Sequence, residues 1–352
     1  MRARRRRAAS LFTLAAQLIL LQALEVSAQA PREYARGVAA FLSKDYRSAA
    51  DWFQKAEAAS PGVTDALVYE AKALIHVQEF TLAEKALQKY LAIHSDSHEA
   101  LYLLGFVLHR ENRPSESLEV FTKAAALKTP TGDDLKIVGL DYVLLNNYAD
   151  AIKWLEKAVQ FDPGNKEAWY YLGRAYYSDS RPAQAKTAFL TVLELDPHDV
   201  RAENNLGLLF EAEARTNDAL EAYRKAIAWQ QGSPRPSEQP YLNLGILLLE
   251  QERVEEAVGA LEKGTELAPN DATCHFRLGI AYSHMNRLQE AQAELARAEL
   301  LEPQNARIHY QLGRVYKQMH QMDRAKAEFA RTEELQNGAA GALPRQVPVK
   351  PQ

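Results

Sequence analysis

The 352-residue chain is 47% hydrophobic and 25% charged, long enough to bury a sizeable core. Its 42 basic and 46 acidic residues leave a formal charge of −4, which excludes the basic excess of a nucleic-acid-binding protein. One cysteine, Cys274, excludes an internal disulfide and a zinc site of cysteine type.

The first thirty residues stand apart. "MRARRRR" carries five arginines, "LFTLAAQLILLQAL" (11–24) is a fourteen-residue apolar run, and "SAQA" places Ala28 and Ala30 as the small residues of a cleavage site. This is the three-part layout of a secretory signal peptide. The run is shorter than the roughly 20 residues of a membrane-spanning helix. An uncleaved anchor and a mitochondrial presequence are the alternatives. Cleavage after Ala30 would leave 37 basic and 45 acidic residues, a net −8, in an exported chain that is periplasmic or secreted.

From residue 30 onward a 34-residue period runs through the chain. In "WYYLGRAYYSDSRPAQAKTAFLTVLELDP" (169–197), Trp169, Leu172, Gly173, Tyr176, Ala185, Phe189 and Pro197 fall at positions 4, 7, 8, 11, 20, 24 and 32 of the frame. Position 8 is Gly37, Ala71, Gly105, Gly139, Gly173, Gly207, Gly245, Gly279 and Gly313, which takes half of the sixteen glycines. Position 20 is Ala or Ser in all nine copies, from Ala49 to Ala325. Apolar residues at positions 4, 7, 11, 24 and 27 recur at helical spacing, and the proline near position 32 ends the second helix. Each copy is therefore a helix pair, and pairs that cannot bury their faces alone must stack.

The pattern resembles the tetratricopeptide repeat, a helix–turn–helix unit, over residues 30 to about 337. Repeat one departs from it at Glu33 and Arg36. Repeats two, six and nine lack the closing proline, with Ser95, Gln231 and Asn337 in its place. The resemblance implies an all-α solenoid, a right-handed superhelix of nine units. Between repeats six and seven the frame gains four residues, and "QQGSPRPSEQP" (230–240) reads as a loop. "GAAGALPRQVPVKPQ" (338–352) has no periodicity and is expected to be a disordered tail.

No catalytic constellation is present: there is no phosphate-binding glycine loop, no H-E-x-x-H and no G-x-S-x-G. No cofactor or metal site is expected. His94 and His98 lie in a turn between repeats. His275 and His309 occupy position 4 and read as core histidines with satisfied hydrogen bonds. Cys274 reads as an inert packing residue. "LKIVGLDYVLL" (135–145) and "YLNLGILLL" (241–249) are apolar nearly all round, so each is expected to be covered on more than one side.

The resemblance also implies a concave groove lined by positions 2, 5, 9, 12 and 13 of the first helices. On this chain the groove candidates are Tyr102, Phe106, His109 and Arg110, then Lys136, then Tyr170, Arg174 and Tyr177, and finally Tyr310, Arg314 and Lys317. Asn204, Asn205 and Asn243 are candidates for binding the backbone of an extended peptide. Of the residues with which some family members clamp a terminal carboxylate, only Asn243 and Arg277 are matched. The function implied is a non-catalytic scaffold or adaptor for a protein or peptide, with no nucleic-acid partner and with self-association open. The alternative is an accessory subunit that presents substrate to an enzyme or envelope-assembly complex.

Overall fold

The computed structural model describes residues 32–61 and 65–341, so the proposed signal peptide lies outside the described residues. Among the described residues there are eighteen α-helices and no strand. The chain is an all-α helical-repeat solenoid and divides into two compact units at Arg181/Pro182. The first unit holds α1 (Arg32–Leu42), α2 (Tyr46–Ala59), α3 (Ala66–His76), α4 (Phe80–Leu91), α5 (His98–Arg110), α6 (Pro114–Leu127), α7 (Gly132–Leu144), α8 (Tyr148–Phe161) and α9 (Lys166–Ser178). The second holds α10 (Pro182–Leu195), α11 (Val200–Ala212), α12 (Thr216–Trp229), α13 (Gln239–Glu250), α14 (Val254–Leu267), α15 (Ala272–His284), α16 (Leu288–Leu301), α17 (Ala306–Gln318) and α18 (Met322–Gly341).

The glycine at position 8 is a seat for the side chain at position 24 of the paired helix. A Cβ on Gly207 would stand 2.4 Å from the Tyr223 ring, and one on Gly245 would stand 2.5 Å from Leu261. Gly37 meets Phe53, Gly105 meets Phe121, Gly279 meets Leu295 and Gly313 meets Phe329 in the same way. The residue is small because a side chain of the partner occupies the space where its own would be.

The turn inside each pair is equally regular. Lys44, Gln78, Asn112, Asn146, Ser180, Ala214, Glu252, Asn286 and His320, all at position 15, take φ between 56° and 64°. None is glycine, so each carries the cost of a left-handed residue with a Cβ. Position 16 is arginine in five of the nine repeats, and in four of these it holds the start of the second helix. Arg113 pairs with Glu116, Arg215 with Asp218, Arg253 with Glu256 and Arg287 with Glu290, at 2.7–3.0 Å. Six of the nine first helices start on a side-chain cap, as where Asn165 accepts from the Ala168 N–H and Asp271 from the Cys274 N–H.

Two readings of the sequence need correction. The loop at 230–240 gives way to helix at Gln239, with Pro240 in the first turn where a missing N–H costs nothing. The loop is also clasped: the Gln230 amide donates to the Ser237 carbonyl at 2.9 Å and accepts from its N–H at 2.8 Å. The last helix runs on to Gly341, so residues 338–341 are helical rather than tail. The helix has no proline to stop it before that point.

Two glycine exchanges seven residues apart should have opposite signs. Gly207→Ala drives a Cβ into Tyr223 and should cost about 1–3 kcal/mol. Ala214→Gly relieves a left-handed alanine and should gain about 0.5–1 kcal/mol. Denaturant midpoints of the two variants check both.

Candidate functional site

In the first unit, α5 supplies four of the groove candidates, and Tyr102, Phe106 and His109 are engaged within the fold. The Tyr102 hydroxyl donates to the Lys128 carbonyl at 2.5 Å, and its ring lies 5.9 Å from that of Phe121. Phe106 packs on the same apolar patch, with Phe121, Ile137 and Val138. Arg110 remains exposed, with its guanidinium 4.6 Å over the Phe80 ring. Lys136 turns back to Asp133 of its own helix at 2.7 Å.

Beneath α5 lies a polar network that the sequence did not announce. His109 Nδ1 is 2.8 Å from Asp141, which is fully buried. Asp141 accepts from the Ser117 hydroxyl at 2.6 Å, and Ser117 lies 2.9 Å from the Gly105 carbonyl. Ser117 stands where eight repeats have alanine, and Asp141 is the reason. That departure was the only signal available.

Of the three candidates on α9, Arg174 and Tyr177 are exposed, whereas Tyr170 is buried at 8% and turns its ring edge to Tyr171. The expectation that all three open to solvent is corrected for Tyr170. Trp169 Nε1 donates to the Pro163 carbonyl at 3.0 Å, and the Tyr176 hydroxyl donates to Glu156 at 2.5 Å. Both rings serve the stack, as position 4 and position 11 require.

The first unit also has a groove of about 380 Å³ with charges of both signs, lined by residues of α2, α3 and α4. Glu57 and Glu70 stand in it at positions 28 and 7, where most repeats have apolar residues. Lys89 lies 3.0 Å from Glu57. Burial pushes the Glu70 carboxyl up to about 7; Lys89 opposes the shift and Glu57 adds to it. A folded value above the ordinary carboxylate value means that folding favours the protonated form. The stability this confers is full below pH ~4.5 and is lost as pH rises through 7. Glu70→Leu should therefore raise the melting temperature more at pH 8 than at pH 5, which paired thermal melts will read.

In the second unit the asparagine candidates are already engaged. Asn204 is buried and accepts from Asn243 Nδ2 at 3.0 Å. Asn205 Nδ2 donates to the Arg201 carbonyl of its own helix at 2.7 Å. Asn204 thus gives its amide oxygen to Asn243, and Asn205 gives an amide hydrogen to its own helix. The amides were legible as polar residues in the frame, but their mutual bonding was not.

Arg277 is different. Its Nε is buried with no hydrogen-bond partner. Its guanidinium lies 5.7 Å from the Phe276 ring centroid, and that of Arg307 lies 5.6 Å from the same centroid. Burial, and then the like charge of Arg307, hold the Arg277 guanidinium below its usual value. A small cavity of about 70 Å³ opens here, lined also by Thr273, Glu302, Asn305 and Ile308. Arg307 was missed, although it falls at position 2 of the frame. Tyr310, Arg314 and Lys317 are exposed on α17, with Tyr310 47% exposed.

His275 and His309 do replace the tryptophan of position 4, and they keep its bond. His275 Nε2 meets the Pro269 carbonyl at 3.1 Å and His309 Nε2 meets the Pro303 carbonyl at 3.0 Å. Each Nδ1 meets a carboxylate, Glu294 at 2.6 Å and Glu328 at 2.8 Å. Burial pushes the Cys274 thiol up to about 12, so it is inert at neutral pH.

Three family models described as tetratricopeptide repeat match the chain, at residues 70–130, at 142–209 and 248–302, and at 306–337. Together they span more than half of it, and the chain belongs to the tetratricopeptide-repeat proteins. Anaphase-promoting complex subunit 3 of Schizosaccharomyces pombe is 25% identical over 242 residues, 68% of this chain and 36% of that protein. Two Pseudomonas aeruginosa proteins are also similar. Cytochrome c-type biogenesis protein CycH is 32% identical over 33% of this chain and 28% of its own length. Type IV pilus assembly protein PilF is 33% identical over 29% of this chain and 38% of its own length. The chain thus spans between 28% and 38% of the length of these relatives. Among solved structures, the APC/C hetero-tetramer Cut9-Hcn1 matches with a TM-score of 0.58 at 17% identity, over 79% of this chain and 54% of that one. A tetratricopeptide repeat protein from Parabacteroides merdae matches at 0.58 and 17%, over 71% and 98%. These likenesses carry the fold alone. The matched families are repeat families, and proteins of this kind act as protein-interaction scaffolds.

Proposed function

We propose that the chain is a non-catalytic scaffold or adaptor that seats an extended, acidic segment of a protein partner in the groove of its second unit, and that it works outside the cytoplasm. The observation that carries the reading is the Arg277–Arg307 pair. Two guanidinium groups flank one aromatic ring beside a cavity, and the buried Nε of one is unsatisfied. A buried donor without an acceptor costs about 1–3 kcal/mol, and a carboxylate placed there would recover that cost and separate the like charges. Exposed Tyr310, Arg314 and Lys317 on the next first helix supply the aromatic and cationic surface at which such a segment would continue. The exported setting is supported by the layout of residues 1–30, and by similarity to proteins named for pilus assembly and cytochrome c biogenesis.

The test is fluorescence anisotropy with extended peptides that differ only in charge. Acidic peptides should bind, with affinity falling as salt rises. The Arg277→Ala/Arg307→Ala variant should keep its melting temperature and lose at least 30-fold in affinity, the equivalent of about 2 kcal/mol at a hot spot. Equal binding of neutral and acidic peptides, or a folded variant with unchanged affinity, would overturn the reading. For the export step, N-terminal sequencing of the mature chain should begin at Pro31, and a full-length membrane-retained chain would refute it.

A further inference from the structure

We propose that the last repeat carries a divalent-metal site of zinc type, formed by Glu299, His309 and Glu328. The three side chains come from α16, α17 and α18, and their ligand atoms all lie within 4.8 Å of one another. His309 Nδ1 is 2.8 Å from Glu328 Oε2 and 3.8 Å from Glu299 Oε1. Tetrahedral zinc with bonds of 2.0–2.2 Å needs ligand atoms about 3.3 Å apart, which these two distances bracket. Glu299, at 37% side-chain exposure, has the freedom to close the longer one.

The imidazole is set up as a metal ligand. Its side chain is only 5% exposed, and its Nε2 meets the Pro303 carbonyl at 3.0 Å. That bond holds a proton on Nε2 and turns Nδ1 toward the two carboxylates, where in the metal-free chain Nδ1 shares a proton with Glu328 at 2.8 Å. A backbone carbonyl on the far nitrogen is the arrangement that orients metal-bound histidines. A divalent ion would take the place of the shared proton, held by the Nδ1 lone pair and the two carboxylates, so binding would release a proton. One nitrogen with two oxygens suits zinc better than magnesium or calcium, which take oxygen ligands. Water would complete the coordination on the open side.

Repeat eight supplies an internal comparison. His275 makes the same two contacts, to Pro269 and to Glu294. However, residue 265, which occupies the frame position of Glu299, is threonine. The surroundings of His275 therefore hold two of the three ligands, and those of His309 hold all three.

The test is isothermal titration of the chain with zinc chloride, with hydrogen exchange as a second readout. The wild type should take one equivalent, and zinc should slow exchange in α16, α17 and α18. Glu299→Gln, a change at a half-exposed position, should keep the fold by circular dichroism and weaken binding at least 10-fold. Thr265→Glu should raise the stoichiometry from one to two. Binding that Glu299→Gln leaves unchanged would place the zinc elsewhere, at His94 and His98 for example, and overturn the proposal. So would the lack of a saturable site in the wild type.

Discussion

Each helix pair closes because one side chain sits where another is missing. The ring or leucine at position 24 rests on the backbone of position 8, and a Cβ there would come within 2.4–2.7 Å of it. That contact sets how closely the two helices approach, and so which faces remain to meet the next pair. The occupant of position 24 varies among phenylalanine, tyrosine and leucine, while position 8 stays at glycine or, once, alanine. The constraint is therefore one of space rather than of a particular partner. Packed interiors have few voids larger than a water molecule, so space of this kind is not negotiable.

The polar groups inside the array follow from the same frame. Where a proline follows the second helix, its carbonyl lies near the start of the next repeat, and a tryptophan or histidine at position 4 reaches it. Trp169, His275 and His309 all bond that carbonyl, at Pro163, Pro269 and Pro303. Tyrosine at position 11 reaches back to a glutamate of the preceding repeat, from Tyr176 to Glu156 and from Tyr282 to Glu262. A histidine can therefore replace a tryptophan without orphaning the carbonyl, but only if its second nitrogen also finds a partner. In both cases a glutamate on the following second helix provides one.

The fold was legible in the sequence because small residues at a fixed interval leave a periodic trace. The left-handed turn at position 15 was not legible, since lysine, glutamine, alanine and glutamate there give no sign of a positive φ. The groove was legible only in part. Position in the frame located Arg110, Arg174, Tyr177, Tyr310, Arg314 and Lys317 on exposed surface. It did not show that Tyr170 is buried, or that Asn204 bonds Asn243. Those outcomes depend on what an adjacent residue does, and a one-dimensional pattern assigns each position separately. For Asp141 only the serine at 117 left a trace, because its partners, His109 and Ser117, are 32 and 24 residues away.

Departures from the frame are where this chain becomes individual, and the architecture limits what each one costs. Glu57 and Glu70 place two carboxylates where repeats one and two meet, Asp141 and Ser117 a polar network where repeats three and four meet, and Arg277 with Arg307 an unsatisfied donor where repeats eight and nine meet. In a globular core, three such changes would act on one shared cooperative unit. In a stacked array each repeat contacts only its neighbours, so the penalty of a buried charge is confined to the pairs that touch it. A repeat can then spend local stability on a charged or polar feature while the interlock at positions 8 and 24 keeps the adjacent pairs in place. Such features here fall at separate junctions, several pairs apart, where they share no partners and do not couple.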